Sequence, residues 1–173
     1  MIKVLVSACL LGERVRYDGR AAFCHSDWLG RWAQESRIVP FCPEVGAGLS
    51  IPRLSAEIEP GATAEEVLAG RARIRRSDGA DVTGAFLRGA RLAVEAAFAA
   101  GARLAVLKDR SPSCGVISVH DGSFGGRIAP GQGVTAALLA RHGIRVFPET
   151  QIEQAAEYLR ILETGGHGRR SPG

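Results

Sequence analysis

Four short runs of mainly apolar residues stand out along the chain, at residues 2–8, 37–41, 103–107 and 144–147. Within these runs, polar residues do not alternate regularly with apolar ones. Short apolar runs of this kind are typical of β-strands that are buried on both faces of a parallel sheet. The pattern therefore predicts four buried strands.

Between and after these runs, apolar residues recur at helical spacing. The longest such segment begins near Thr83, and Gly101 is a residue well suited to end it. Thr63 and Glu66 form the capping-box pattern that begins a short helix. Further helices are predicted over residues 25–36, 133–142 and 151–162.

Two segments between the second strand and the longest helix carry weaker signals. Residues 46–60 contain several glycines and prolines, which predicts irregular backbone. Residues 71–81 predict a hairpin that turns at Asp78-Gly79.

Strands that alternate with helices predict βαβ units. The expected fold class is therefore α/β, a Rossmann-like three-layer sandwich with a mainly parallel sheet and helices on both faces. A chain of 173 residues fits one domain. We expect that domain to span residues 1–163, followed by a flexible C-terminal tail at 164–173.

Composition narrows the class of protein. The net charge is only +4, and the arginines at 71, 73, 75 and 76 are interpreted as a solvated hairpin face, which argues against a nucleic-acid partner. No apolar run is long enough to span a bilayer, and the N-terminus does not resemble a signal peptide. The expectation is a cytoplasmic protein without a membrane partner, in which thiols stay reduced. The sequence does not indicate an oligomeric state.

Three of the four cysteines follow predicted strands. Cys9 and Cys42 come directly after the first and second strands, and Cys114 lies a few residues beyond the third. Ligands of open α/β sheets bind at the carboxyl ends of the strands, so the three thiols are expected to converge on one crevice. Cys24 stands apart, at the start of a helix, and is interpreted as structural, or at most as a nearby spare thiol.

Three converging thiols leave several interpretations open. They could be small buried residues, because free cysteine is often buried. A zinc site usually has a fourth ligand and closely spaced cysteine pairs, which are absent here. An iron–sulfur cluster held by only three cysteines would keep one iron open to a substrate. His25 and His120 lack partners at metal-binding spacing and are interpreted as ordinary polar residues.

Three further side chains are expected near this crevice. Glu44, two residues beyond Cys42, could act as a general base toward water, or could be a helix-start or surface charge. Ser111 and Ser113 precede Cys114. Either could cap the next helix or hydrogen-bond a substrate.

Several motifs together resemble the thiouracil desulfidase (TudS-type) family, formerly a domain of unknown function. The resemblance covers roughly residues 2–148 and rests on Ser7-Ala8-Cys9-Leu10-Leu11-Gly12, Arg16-Tyr17-Asp18-Gly19, Cys42-Pro43-Glu44-Val45, Ile51-Pro52-Arg53 with Glu57, Ser111-Pro112-Ser113-Cys114-Gly115, Asp121-Gly122-Ser123-Phe124 and residues 131–139. Members of that family are similar to a desulfidase with a 4Fe-4S cluster bound by three cysteines, whose fourth iron is free to bind the sulfur of a thiolated pyrimidine.

Carried over to this chain, the resemblance implies that Cys9, Cys42 and Cys114 bind the cluster. It also implies that Glu44 and Ser111 are the catalytic pair. The substrate would be a small thiolated heterocycle such as thiouracil, whose sulfur is replaced hydrolytically.

Two other classes of function remain as alternatives. Cys114 could be a metal-free nucleophile that carries sulfur as a persulfide, which requires a lowered thiol pKa. The protein could also be a binding module, either stabilised by zinc or associated with RNA through the arginines of residues 71–76.

Overall fold

The computed structural model describes residues 1–165. In chain order, its strands are β1 Lys3–Ser7, β2 Ile38–Phe41, β3 Ala56–Ile58, β4 Ile74–Arg76, β5 Ala102–Leu107, β6 Ser118–His120, β7 Ile128–Pro130 and β8 Arg145–Pro148. Its α-helices are α1 Asp27–Gln34, α2 Pro43–Gly46, α3 Ala64–Leu68, α4 Thr83–Ala100, α5 Val134–Arg141 and α6 Ile152–Gly165. Short 3-10 helices follow β1 at Ala8–Leu11 and β8 at Glu149–Gln151.

The four predicted buried strands form one parallel sheet in the order β2-β1-β5-β8. Both faces of this sheet are covered. Alternate residues of β1 point to opposite faces, since Val4 and Val6 pack into one apolar cluster while Leu5 packs into another. This confirms the expected α/β three-layer fold.

The helices divide between the two faces. Helices α1 and α6 cover one face, where Trp32 and Leu159 pack against the strands. Helices α4 and α5 cover the other face, with Ala93 and Leu139 in contact with the sheet. A third apolar cluster joins α3 and β4 to the outer side of α4 and α5.

The capping signals at two predicted helices are confirmed. Thr63 accepts a hydrogen bond from the Glu66 amide, and the Glu66 carboxylate accepts one from the Thr63 amide. Helix α4 ends at Ala100 and is capped by Gly101, whose φ of 73° lies in the left-handed region that favours glycine.

The predicted hairpin at residues 71–81 is wrong in its strand pairing. Strand β4 pairs antiparallel with β3, which lies in the segment predicted to be irregular. The turn at Asp78-Gly79 does form, but only a single bridge between Arg75 and Asp81 closes it. A pairing partner about twenty residues upstream leaves no local sequence signal.

The C-terminal end is partly described. Helix α6 includes residues 164 and 165, which the sequence assigns to a flexible tail, and the rest of that predicted tail lies outside the described residues. Within residues 1–165, no helix combines the length and apolar character needed to cross a membrane.

Candidate active site

A cavity of about 540 Å³ opens at the carboxyl ends of β1, β2 and β5. From β1 the chain moves outward to β2, and it then crosses back to β5 on the other side of β1. Open α/β sheets bind ligands at such a change of direction. Cys9, Cys42 and Cys114 all line this cavity, together with Glu44 and Ser111. The sequence prediction that these side chains meet is confirmed.

Each cysteine is positioned by the end of a strand. Cys9 lies in the 3-10 helix that directly follows β1. Cys42 is the N-cap residue of α2, immediately after β2. Cys114 lies in the loop after β5. Cys9 and Cys114 are buried, and Cys42 is half-buried.

The three thiols influence one another electrostatically. Burial raises the pKa of Cys9 to about 11, and the charge of Cys42 adds to this effect. Burial also raises the pKa of Cys42. Burial raises the pKa of Cys114, and the charges of Cys42 and Cys9 raise it further. A hydrogen bond from Ser7 acts in the opposite direction and lowers this pKa. The three sulfurs are therefore close enough to repel one another as thiolates.

This donor set fits an iron–sulfur cluster. Soft thiolate ligands suit iron–sulfur clusters, and a positively charged metal centre would offset the repulsion among three thiolates. Among residues 1–165, no group of three cysteine, histidine or acidic side chains is arranged to hold a single metal ion. The zinc site considered from the sequence therefore has no ready set of ligands among these residues.

Glu44 is held by an arginine that the sequence analysis did not assign to the site. Arg53 Nε donates to Glu44 Oε2 at 2.7 Å, and both side chains are largely buried. The guanidinium also donates to the carbonyl oxygens of Val15 and Ser50. These bonds fix the Glu44 carboxylate at the cavity. Two structural roles were weighed from the sequence. Glu44 does lie in the first turn of α2, as a helix-start charge would, but its burial does not fit a surface charge.

The two serines before Cys114 have different environments. Ser111 lines the cavity, and its Oγ accepts hydrogen bonds from the amides of Ser113 and Cys114, each at 3.0 Å. Its hydroxyl proton therefore remains available to a ligand. Ser113 is fully buried and shares a 2.8 Å hydrogen bond with Thr135 Oγ1. Ser113 is structural, whereas Ser111 faces the site.

The Cys114 loop is anchored to α5 through its backbone. Amide groups at the start of α5 donate to carbonyl oxygens of the loop, from Val134 to Pro112 and from Thr135 to Ser113. Gly133 permits this approach, because a Cβ there would lie 2.3 Å from the Ser113 carbonyl oxygen. The helix amides are thus occupied by backbone. Burial raises the Cys114 pKa, so this environment does not favour the lowered thiol pKa that a persulfide nucleophile requires.

Asp109 fixes the far side of the same loop. Its Oδ1 accepts hydrogen bonds from three consecutive amides, at Val116, Ile117 and Ser118. Burial acts to raise the pKa of Asp109, but these hydrogen bonds outweigh it and the pKa is lowered. The loop that carries Ser111 and Cys114 is therefore held at both ends.

Three more residues line the cavity, although the sequence analysis did not assign them to the site. Ser7, the last residue of β1, accepts a hydrogen bond from the Lys108 amide and donates to Cys114. Glu57 is buried, and its Oε2 accepts from the amides of Gly122 and Phe124. His120 also lines the cavity. Ser7 and Glu57 stand in the motifs that carry the family resemblance, but residue type alone gave neither a role.

The remaining sequence candidates lie elsewhere. Cys24 lines a separate cavity of about 990 Å³, together with His25 and Trp28. In the described part of the chain, Arg73, Arg75 and Arg76 form ion pairs with Asp81, Glu59 and Asp78. Acidic partners neutralise much of this arginine cluster, so the structure gives no support to an RNA-binding surface there.

Known proteins resemble this chain over most of its length. The family model described as 2-thiouracil desulfurase matches residues 4–151. The uncharacterized protein YbbK of Bacillus subtilis (strain 168) is 41% identical over 149 residues, which cover 86% of this chain and 97% of YbbK. A solved structure described as the [4Fe-4S]-dependent thiouracil desulfidase TudS is 43% identical and has a TM-score of 0.85. That match covers 93% of this chain and 99% of the other. The chain belongs to the 2-thiouracil desulfurase family.

Proposed function

We propose that this protein is an iron–sulfur-dependent desulfidase that removes sulfur from thiolated pyrimidines such as 2-thiouracil. The observation that carries the proposal is the meeting of Cys9, Cys42 and Cys114 in one cavity that also contains Glu44 and Ser111. Family membership and the similarity to TudS support the same reaction.

The three cysteines would hold a 4Fe-4S cluster. Such a cluster usually takes four cysteine ligands, and no fourth cysteine lines this cavity in the described part of the chain. When bound, the cluster supplies an iron that acts as a Lewis acid toward the sulfur of the substrate. Ser7 supports the arrangement through its hydrogen bond to Cys114.

Glu44 has the position and chemistry of a general base. Its carboxylate takes a proton from water, and the water oxygen attacks the carbon that bears the sulfur. Arg53 keeps the carboxylate oriented toward the cavity during this step. The Ser111 hydroxyl donates a hydrogen bond to the ring and steadies the charge that develops on it.

The overall reaction balances without an oxidant or a reductant. Water supplies the oxygen of the product carbonyl group, and the sulfur leaves as hydrogen sulfide. The carbon–sulfur bond breaks and a carbon–oxygen bond forms, so the carbon keeps its oxidation state. The reaction is a hydrolysis, which fits a site whose protein groups are a base and hydrogen-bond donors.

The proposal extends to the setting of the enzyme. All four cysteines are free thiols. Reduced thiols are typical of cytoplasmic proteins, and a cluster site needs its cysteines reduced. We assign the protein to the cytoplasm on this basis, with a small thiolated heterocycle as its partner molecule.

A turnover assay tests the proposed function. The protein is reconstituted with iron and sulfide under anaerobic conditions and incubated with 2-thiouracil, and released sulfide and uracil are measured. The proposal predicts one uracil for each sulfide, and no turnover by a Cys114→Ser variant. A Cys24→Ser variant is the matched control, because Cys24 lies outside the cavity. Iron-loaded wild-type protein that releases neither product would refute the proposal.

A further inference from the structure

The loop between β6 and β7, residues 121–127, brings one aromatic side chain to the cavity. The Asp121 amide donates to the Arg127 carbonyl oxygen and closes this loop. Phe124, in the middle of the loop, lines the cavity and is 39% exposed. A ligand in the cavity can therefore reach this side chain.

The backbone at Phe124 is held in an unfavourable conformation. Its φ of 56° lies in the left-handed region, which bulky residues rarely adopt. The buried Glu57 stabilises this conformation, because its Oε2 accepts hydrogen bonds from the amides of Gly122 at 2.8 Å and of Phe124 at 3.1 Å. Gly122 lets the loop approach β3 closely, since a Cβ there would lie 2.5 Å from the Ile58 carbonyl oxygen. Backbone strain of this kind clusters at sites where a protein holds a ligand.

The core of the protein does not use the Phe124 side chain. Phe124 belongs to none of the three apolar clusters that the described residues form. Within residues 1–165, its ring has no aromatic or cationic partner. Tyr17 also lines the cavity as an exposed aromatic residue, but its ring already lies 5.9 Å from the Arg16 guanidinium. A large apolar side chain left accessible in a ligand cavity points to the ligand as its contact.

A thiolated pyrimidine has the chemistry that such a side chain binds. Its ring is flat, its two faces are apolar π surfaces, and its polar groups lie along its edge. Bases of this kind stack on aromatic side chains whatever groups their edges carry. Glu44, Arg53 and Ser111 supply polar groups to the cavity, and none of them offers a flat apolar surface to the faces of the ring.

We propose that the Phe124 ring stacks on the face of the heterocyclic substrate and gives the site a preference for flat pyrimidines over saturated rings. This inference rests on the desulfidase function proposed above and specifies the ring chemistry that its site accepts. Phe124 is a specificity residue, distinct from Glu44 and Ser111, which act on the water and on the ring during the reaction.

Three substitutions separate stacking from simple filling of space. Phe124→Ala removes the ring, Phe124→Leu keeps much of the bulk without aromatic character, and Phe124→Tyr keeps an aromatic ring. All three retain a Cβ, so none gains the freedom of glycine at this φ. The matched control is Phe98→Ala, because Phe98 is an exposed aromatic residue of α4 that does not line the cavity.

The measurements use the iron-loaded protein. They are KM and kcat for 2-thiouracil, and the Kd values of uracil and 5,6-dihydrouracil by calorimetry. Dihydrouracil carries the same polar edge as uracil, but its ring is saturated at two carbons and is not flat. The thermal midpoint and iron content of each variant show whether the fold and the cysteine site are intact.

We expect the wild type to bind uracil more tightly than dihydrouracil. Phe124→Ala and Phe124→Leu should each raise KM and the uracil Kd about tenfold, which is the effect of losing one base–aromatic stack, and should raise the dihydrouracil Kd less. The kcat value should change less than KM, because substrate and transition state share this contact. Phe124→Tyr should recover most of the affinity that Phe124→Leu loses, and Phe98→Ala should match the wild type.

Other outcomes would overturn the proposal. Wild-type KM and uracil Kd values in Phe124→Ala would remove this ring from the binding site. Equal losses of uracil affinity in Phe124→Leu and Phe124→Tyr would show that aromatic stacking is not the contact, and this comparison holds even if Phe124→Ala fails to fold. Turnover of 2-thiouracil with an unchanged KM in Phe124→Leu would refute this inference and leave the desulfidase function standing. Uracil binding that depends on Phe124, in a protein that does not turn over 2-thiouracil, would do the reverse.

Discussion

At the scale of single residues, the pair formed by Glu44 and Arg53 decides how the site can work. The side chain of Arg53 is 9% exposed and that of Glu44 is 16% exposed, so water screens their attraction only weakly. Arg53 is itself held by two carbonyl oxygens, and its amide donates to the Tyr17 carbonyl oxygen. A carboxylate held this firmly can present its proton-accepting oxygen to a water at a constant position.

Replacing Glu44 tests its role as the base. Glu44→Gln keeps the size of the side chain and its ability to accept a hydrogen bond from Arg53, but the amide cannot take a proton. We expect kcat per bound iron to fall by about 100-fold or more, the usual range for a general base. Iron content should stay at the wild-type level. Full turnover in this variant would exclude Glu44 as the base.

The two serines near Cys114 provide a matched pair of variants. Ser111→Ala removes the hydroxyl that faces the cavity, and we expect about a 100-fold loss of kcat per bound iron. Ser113→Ala removes a buried hydroxyl that does not line the cavity; it shares a hydrogen bond with Thr135 and accepts a long one from Cys114 Sγ at 3.9 Å. The change should therefore cost about 1 kcal/mol of stability and leave turnover per bound iron unchanged. Equal turnover by the two variants would contradict the assignment of Ser111.

At the scale of elements, the short helix α2 carries both Cys42 and Glu44 to the cavity. This helix packs closely on α4 at Gly89, where a Cβ would lie 2.3 Å from the Pro43 carbonyl oxygen. Glycine inside a long helix costs about 1 kcal/mol relative to alanine. Its presence at position 89 is explained by the close approach of α2.

Two glycines of α4 allow this packing to be tested. Gly89→Ala should lower the free energy of unfolding by about 1–3 kcal/mol, because the backbone of α2 must move. Gly84→Ala is the control, since its nearest neighbour is the tip of Arg88 at 3.8 Å, and it should be neutral or stabilising by up to about 1 kcal/mol. Chemical denaturation measures both values. Equal stability of the two variants would contradict the close packing of α2 on α4.

The elements that the sequence predicted well are those whose signals are local. The buried strands are visible in the sequence as apolar runs, and α4 has both an apolar stripe and a glycine directly after its last residue. The β3–β4 and β6–β7 pairs were missed because each strand has only three residues, too few to show a period of two. The roles of Arg53 and Glu57 depend on these missed elements or on distant partners, so residue type and spacing could not reveal them.

At the scale of the whole molecule, the topology of the sheet explains why cysteines more than 100 residues apart share one cavity. Parallel strands end at the same edge, and β2, β1 and β5 are adjacent. The convergence of Cys9, Cys42 and Cys114 could therefore be predicted once the strands were recognised. The position of the β6–β7 hairpin, which brings His120 and Phe124 to the cavity, could not be predicted. This hairpin lies outside the parallel sheet, and its placement depends on side-chain anchors such as Asp109.

The central claim is that three cysteines of this cavity hold a four-iron cluster. The most direct test is iron and acid-labile sulfide per chain after anaerobic reconstitution, for the wild type and the single serine variants of Cys9, Cys42, Cys114 and Cys24. We predict about four iron and four sulfide ions in the wild type and in Cys24→Ser, and a large loss in the other three variants. Iron-free wild-type protein, or unchanged iron in Cys114→Ser, would contradict the account.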